Sequence, residues 1–299
     1  LYQSDHLEKR VSFLITTKNR ASRLEKTLQD LSEMVTNSDE IVVIDGGSTD
    51  GSVDVIRRYS TVIGAWISEP DEGATHAFNK AILLAQGRFL IPYADDDELR
   101  MEGVEQAVDI LEVNAEIDLL VCGGTKVTSE KSYPIWIPDG TGYGSSVGDP
   151  WYYGAPGVGL VIRRSSLAKT GLFESRLASD LEFVSRAIAL SASVRFARIH
   201  LYTHFITSES HIVGQKSAIL ADARAAARQY MGLWGYLRWR YIRLLTSKHT
   251  YVGRATRFVQ RITSGIWRRV MRRPYDASKS FPVSELLDPE SRHWDGGFS

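Results

Sequence analysis

Three consecutive carboxylates, Asp95, Asp96 and Asp97, follow a short apolar run, Phe89-Leu90-Ile91, bounded by Gly87 and Pro92. A run of that form reads as a strand buried on both faces. Three like charges at the mouth of a buried strand repel one another and gain nothing from burial. A divalent cation offsets that repulsion, and hard cations such as Mg2+ take oxygen ligands. The same run also suits a helix cap, since Asp is favoured at the N-cap and in the first turn. Further polar clusters each trail an apolar run: Thr17-Lys18-Asn19-Arg20, Asp45-Gly46-Gly47 and Glu69-Pro70-Asp71-Glu72-Gly73. Asp180 opens a later amphipathic stretch.

The elements that must position these groups alternate. Val11 to Thr16, Glu40 to Ile44 and Val62 to Ile67 read as strands, and the first two are almost wholly apolar inside. Between them, Arg20 to Met34 sets Leu24, Leu28 and Leu31 at helical spacing, and a helix capped by Asp50 or Ser52 turns Val53, Ile56 and Tyr59 inward. Thr75 to Ala85 and Met101 to Val113 read as further helices, and Asp180 to Ala189 as another with Leu181, Val184 and Ile188 inward. Such alternation predicts an α/β fold of βαβ units with a mostly parallel sheet flanked by helices. Ligands of such sheets bind beyond the carboxyl ends of the strands. The polar clusters all follow strands, so they converge on one edge of one sheet. Asp118 to Cys122 and Val158 to Ile162 are expected strands, and Val194 to Ala197 with Ile199 to Phe205 a closing pair. The stretch 125–156 reads as hairpins and loops, with Trp136, Trp151, Tyr152 and Tyr153 to line a pocket or fill a core.

The chain has 299 residues, 43% hydrophobic and 24% charged, within the range of soluble globular proteins. Its formal net charge of zero hides a division. Residues 1–215 hold 20 Lys/Arg against 30 Asp/Glu, 216–275 hold 14 bases and one acid, Asp222, and 276–299 hold 2 bases and 5 acids. The single cysteine, Cys122, excludes an intrachain disulfide and sits in a strand as a core residue. No run approaches the roughly 18 apolar residues of a membrane span. The chain starts at Leu1, which leaves room for a trimmed targeting segment. No GxGxxG or GxxxxGK[ST] follows any strand, which argues against Rossmann dehydrogenases and P-loop enzymes.

With these motifs in order, the chain resembles the family 2 glycosyltransferases. The resemblance is carried by Ser12 to Arg20, IVVIDGGSTDGS at 41–52, SEPDEG at 68–73, FNKAILLAQG at 78–87, YADDDE at 93–98, and GLFE through ASDLEF at 171–183. It implies a GT-A type fold and an inverting, metal-dependent transfer of sugar from a UDP- or GDP-linked donor to a saccharide or lipid-linked saccharide hydroxyl. It further implies that Thr17, Arg20 and Asp45 hold the nucleoside, that Asp71 contacts the donor nucleotide and that Asp95 reaches the ribose. Asp96 would bind Mn2+ or Mg2+ on the diphosphate, with Asp97 a second ligand or only a helix cap, and Asp180 falls where the family places its general base. Three positions depart from the family pattern. Gly46 stands where a second Asp is frequent, His76 where Asp is common, and HFITSESHIVG at 204–214 replaces a Gly-Gly-x-Ser segment, leaving His204 and His211 as guesses for an extra ligand. The alternatives are a sugar nucleotidyltransferase, whose phosphate loop after the first strand is absent, and an inactive nucleotide-sugar-binding or membrane scaffold of the same fold.

Three parts are expected: a catalytic domain at 1–215, a basic amphipathic helical appendage at 216–275, and a poorly ordered acidic tail at 276–299. In the appendage, Arg238, Arg240 and Arg243 interleave with Trp234, Tyr236, Trp239 and Tyr241. That pattern fits an interfacial anchor on an anionic membrane, where each basic side chain contributes on the order of 1 kcal/mol. The alternative is a helix packed on the catalytic domain or on a second subunit. Nucleic acid is disfavoured by the acidic body. The expected location is the cytoplasm, peripheral on the inner face of the membrane.

Overall fold

Apolar runs with no alternation are stable only inside a sheet covered on both faces. In the computed structural model, which describes residues 9–95, 97–129, 132–135, 157–174, 177–206 and 215–246, these runs form the centre of a nine-stranded sheet. Asp96, His211, the aromatic stretch 136–156 and the tail 276–299 lie outside the described residues.

The first half is built of β1 (Val11–Thr17), α1 (Ala21–Met34), β2 (Glu40–Asp45), α2 (Ser52–Arg58), β3 (Ile63–Ser68), α3 (Ala74–Leu84) and β4 (Phe89–Ala94). The second comprises β5 (Asp97–Leu99), α4 (Met101–Val113), β6 (Leu119–Thr128), β7 (Ser132–Ile135), β8 (Leu160–Arg163), α5 (Leu167–Thr170), α6 (Ser179–Ala189), β9 (Val194–Ile206) and α7 (Lys216–Thr246). The strand order is β3-β2-β1-β4-β8-β6-β9-β5, with β7 hung on β6. β1 to β4 are mutually parallel, whereas β8 runs antiparallel to its neighbours and β5 antiparallel to β9.

The period of two along each strand divides the core. Phe13, Ile15, Ile41, Val43, Phe89 and Ile91 meet Leu24, Leu28 and Leu31 of α1 and Val104 and Val108 of α4 on one face. Leu14, Val42, Ile44 and Leu90 meet Ala77 and Ala81 of α3 and Phe183, Val184 and Ala187 of α6 on the other. Cys122 is fully buried, and burial pushes its thiol up to about 12.

Two elements differ from the sequence expectation. The closing pair of strands is one continuous strand, β9, thirteen residues long and parallel to β6, with register shifts at Cys122 to Gly124 absorbing the irregularity. Gly124 is needed there, because a Cβ would collide with the Tyr202 carbonyl of β9. Asp97 is not a helix cap either. Its backbone pairs with His204 in the β5–β9 ladder, and α4 begins only at Met101 behind Arg100.

The segment 216–246 is helical but interrupted at Gly232, whose φ is 66° and ψ 175°. Ala223, Ala226, Ala227 and Tyr236 are buried, while Leu233, Leu237 and Tyr241 are exposed. Among the described residues no helix is long and apolar enough to cross a membrane.

Candidate active site

The register of the parallel strands decides which polar groups meet. Thr17 of β1 lies beside Asp45 of β2, Asp45 beside Ser68 of β3, and Thr16 beside Ala94, the residue before Asp95. The four loop starts therefore share one carboxyl edge. Asp95, only 4% exposed, accepts hydrogen bonds from Thr17 Oγ1 at 2.6 Å and from the Arg20 guanidinium at 2.8 Å. A charge-assisted bond of this kind is what makes a buried carboxylate tolerable.

Asp45 is fully buried and held from two loops. Its Oδ2 accepts the Ser48 amide at 3.0 Å and the Ser68 hydroxyl at 2.6 Å, and its Oδ1 accepts the Ser48 hydroxyl. Asn19, in the left-handed region with φ 52°, ties the β1 and β2 loops together: its amide donates to Ser48 Oγ at 2.7 Å and its Oδ1 accepts the Thr49 amide at 2.8 Å. Asp50 reaches from the β2 loop to the Ala21 amide at 2.9 Å and so caps α1. Asp71 accepts the Gly73 amide at 2.9 Å through Oδ1, while its Oδ2 would lie 2.5 Å from a Cβ at position 46. Gly46 thus leaves room for a carboxylate delivered by the next loop. The absence of an acid at 46 and the presence of one at 71 are one packing fact.

Thr17, Arg20, Asp45, Asp71 and Asp95 therefore assemble along one edge. Asp97 joins a second group. Buried at 6% exposure, it bonds His204 Nδ1 at 2.7 Å from its place opposite that residue in the β5–β9 ladder. The Tyr93 hydroxyl donates to the Asp97 carbonyl at 3.0 Å. Tyr202 is fully buried, and its hydroxyl makes no hydrogen bond among the described residues. Burial raises its pKa, and the charges of Asp97 and Asp180 raise it further, so the phenol keeps its proton.

Asp180 stands in the first turn of α6, its Oδ1 accepting the Leu181 amide at 2.8 Å. Among the described residues no group of three His, Cys, Asp or Glu is placed to hold a metal. The available donors suit one nonetheless. Asp95 and Asp97 supply carboxylate oxygens, and the His204 imidazole stands beside Asp97, donor types that divalent cations take. Asn19, Ser48 and Ser68 lay inside the polar motifs of the sequence but carried no role of their own there, since such residues are common to many turns, and nothing singled out Tyr202.

Over 91 residues the chain is 31% identical to the PGL/p-HBAD biosynthesis glycosyltransferase of Mycobacterium bovis, a match covering 29% of this chain and 36% of that protein. Over 104 residues it is 27% identical to the putative teichuronic acid biosynthesis glycosyltransferase TuaG of Bacillus subtilis, covering 34% and 41%. The matches thus span well under half the length of these relatives. In three dimensions the chain is similar to S. aureus TarS 1-349 in complex with UDP-GlcNAc, with a TM-score of 0.61 at 17% identity over 87% of this chain and 74% of that one. It is also similar to the mannosyltransferase PcManGT from Pyrobaculum calidifontis in complex with GDP-Man and Mn2+, with a TM-score of 0.57 at 15% identity over 96% and 88%. At such identities the likeness is one of fold, the GT-A glycosyltransferase architecture. Residues 12–171, more than half of the chain, match the model of glycosyl transferase family 2, and the chain belongs to that family.

Proposed function

We propose that this family member transfers a sugar from a UDP- or GDP-linked donor to a hydroxyl of a saccharide or lipid-linked saccharide, with inversion at the anomeric carbon. The observation that carries this reading is the meeting of Thr17, Arg20, Asp45, Asp71 and Asp95 at one sheet edge. Asp45, rigidly held by two serines, accepts an N–H of the base. Asp95, locked by Thr17 and Arg20, meets the ribose, and Asp71 lines the nucleotide side. Asp180 accepts the proton of the acceptor hydroxyl as the new C–O bond forms. The bond from the anomeric carbon to phosphate breaks, and its electron pair leaves with the nucleoside diphosphate. A carboxylate with an ordinary pKa of about 3.9 is a weak base, so it acts only when bonded to the acceptor oxygen. Asp96 and Asp97 are the residues that would hold Mn2+ or Mg2+, whose chemistry when bound is to neutralise charge on the departing diphosphate.

The acceptor class rests on the basic segment 216–275. Leu233, Leu237 and Tyr241 recur every fourth residue on an exposed helical face, flanked by a strongly basic sequence. We assign that face to an anionic membrane surface at the inner leaflet. The relatives named for PGL/p-HBAD and teichuronic acid biosynthesis agree with a saccharide or glycolipid product.

The test is a thermal-shift panel of UDP, GDP, CDP and dTDP with their common sugars, each with and without Mn2+. A ligand that binds only the native state raises its stability by RT ln(1 + [L]/Kd). One nucleotide should stand out, and only with the metal. A flat panel would overturn the reading in favour of an inactive scaffold.

A further inference from the structure

The N-cap of α6 is Ala178, a residue with no side-chain acceptor. The carboxylate at this helix start comes from elsewhere: Asp222 of α7 accepts the amides of Leu177 at 2.9 Å and Ala178 at 3.0 Å through one oxygen. Asp222 is the only acid among the residues 216–275, where bases number 14. Asp180 lies two residues beyond Ala178, in the turn so anchored.

A second bond repeats the pattern one turn later. The Tyr230 hydroxyl of α7 donates to Glu182 at 2.8 Å, and the same carboxylate takes Arg186 Nε at 2.7 Å. Arg186 also donates to the carbonyls of Thr170 and Leu172, so the strap leading into α6 is tied to the same pair. Burial and the Glu182 carboxylate push the Tyr230 phenol up to about 12, which keeps it a donor. Between Asp222 and Tyr230 the buried residues of α7 are Ala223, Ala226 and Ala227, small enough for two helices to approach closely. Removing a buried charge from its partners is costly, which makes such pairs good at fixing one geometry.

We infer that Asp222 and Tyr230 are positioning residues for the transfer reaction, and that the first half of α7 is a working part of the active site. This rests on Asp180 as the base. Asp222 holds the α6 N-terminus, and with it the carboxylate that must meet the acceptor oxygen. A displacement on the order of 1 Å at such a group costs as much as 100-fold in rate.

The experiment compares Asp222→Ala, Asp222→Asn, Tyr230→Phe and Asp180→Asn in the full chain. The reaction followed is release of nucleotide from UDP-GlcNAc and from GDP-mannose with Mn2+, water serving as acceptor. Hydrogen exchange at amides 177–182 is measured in parallel. Asp222→Ala should lower kcat by about tenfold or more with donor KM within about twofold, and should speed exchange in the first turn of α6. Asp222→Asn, whose amide oxygen still accepts both N–H groups, should recover most of the rate. Tyr230→Phe should cost about threefold, the loss of one hydrogen bond. If Asp222→Ala fails to fold, the other two variants carry the test. Unchanged exchange, unchanged kcat, or a rise in KM that accounts for the whole loss would overturn the inference. Full activity in Asp180→Asn would overturn the base assignment and this inference with it. An inactive Asp180→Asn beside a fully active Asp222→Ala would overturn this inference alone.

Discussion

The two halves of the sheet solve the same problem, a row of carboxylates at a strand edge, in different ways. Along β1 to β4 the acids are met by hydroxyl, backbone amide and guanidinium donors gathered at the same sheet edge: Ser48 and Ser68 for Asp45, Thr17 and Arg20 for Asp95, Gly73 for Asp71. In the β5 to β9 half the partners come from β9 and α7, the later elements of the described chain. Asp97 meets His204, and α6 is held by Asp222 and Tyr230. Two buried hydroxyls there, those of Ser185 and Tyr202, make no hydrogen bond among the described residues. Under the proposed function the first half is the nucleotide cradle, and the second takes its partners from β9 and α7. Recognition of a constant ligand group would suit the former, and adaptation to a varied acceptor the latter.

Substitutions should separate the halves, and the largest effect belongs to Asp180. Asp180→Asn should lower turnover by about 1,000-fold while donor affinity stays within about twofold, as kinetics and calorimetry would read it, since general bases contribute 10² to 10⁴. A loss of donor binding instead would move Asp180 into the nucleotide cradle. Asp95→Asn should do the reverse, weakening nucleotide affinity by about thirtyfold, because Arg20 loses its charged partner. Gly124→Ala should cost about 2 kcal/mol of stability through the clash with β9. Melting should fall by about 5 °C, with nucleotide affinity unchanged at low temperature. The smallest effect is expected from Gly46→Ala, whose new methyl group crowds Asp71 and should weaken nucleotide binding by about threefold. An unchanged affinity would detach Asp71 from the cradle.

Much of the cradle was legible in the sequence. Val11 to Thr16 and Glu40 to Ile44 become buried strands within one residue of expectation, and Leu24, Leu28 and Leu31 become the inner face of α1. Hydrophobic period and strand–loop order are local properties, and parallel βαβ units translate them directly into position. Asp97 shows where that translation ends. A third Asp in a row reads as a helix cap or a ligand, and nothing nearby announces a three-residue strand paired with β9, because β pairing is a contact between distant segments. The break expected between Ala197 and Ile199 failed similarly: the irregularity at Arg198 is absorbed by a bulge of β9 opposite Cys122 and Gly123, and not by a turn. The basic segment, read from its pattern alone, favoured a membrane surface slightly over packing on the protein. Its first helical half meets α6 through Asp222 and Tyr230, two residues to which that pattern gave no role.

The sequence by itself determined the order of elements, the two-faced core of the central strands and the edge at which the acids gather, since each follows from side-chain period and from where the polar residues interrupt it. Tertiary structure alone decided which partner each acid takes. Asp71 fills the space left at Gly46, His204 reaches Asp97 across a strand pair, and Asp222 secures the first turn of α6 from 44 residues downstream. Those choices depend on register, close approach and helix docking, which bring together groups that the chain keeps far apart.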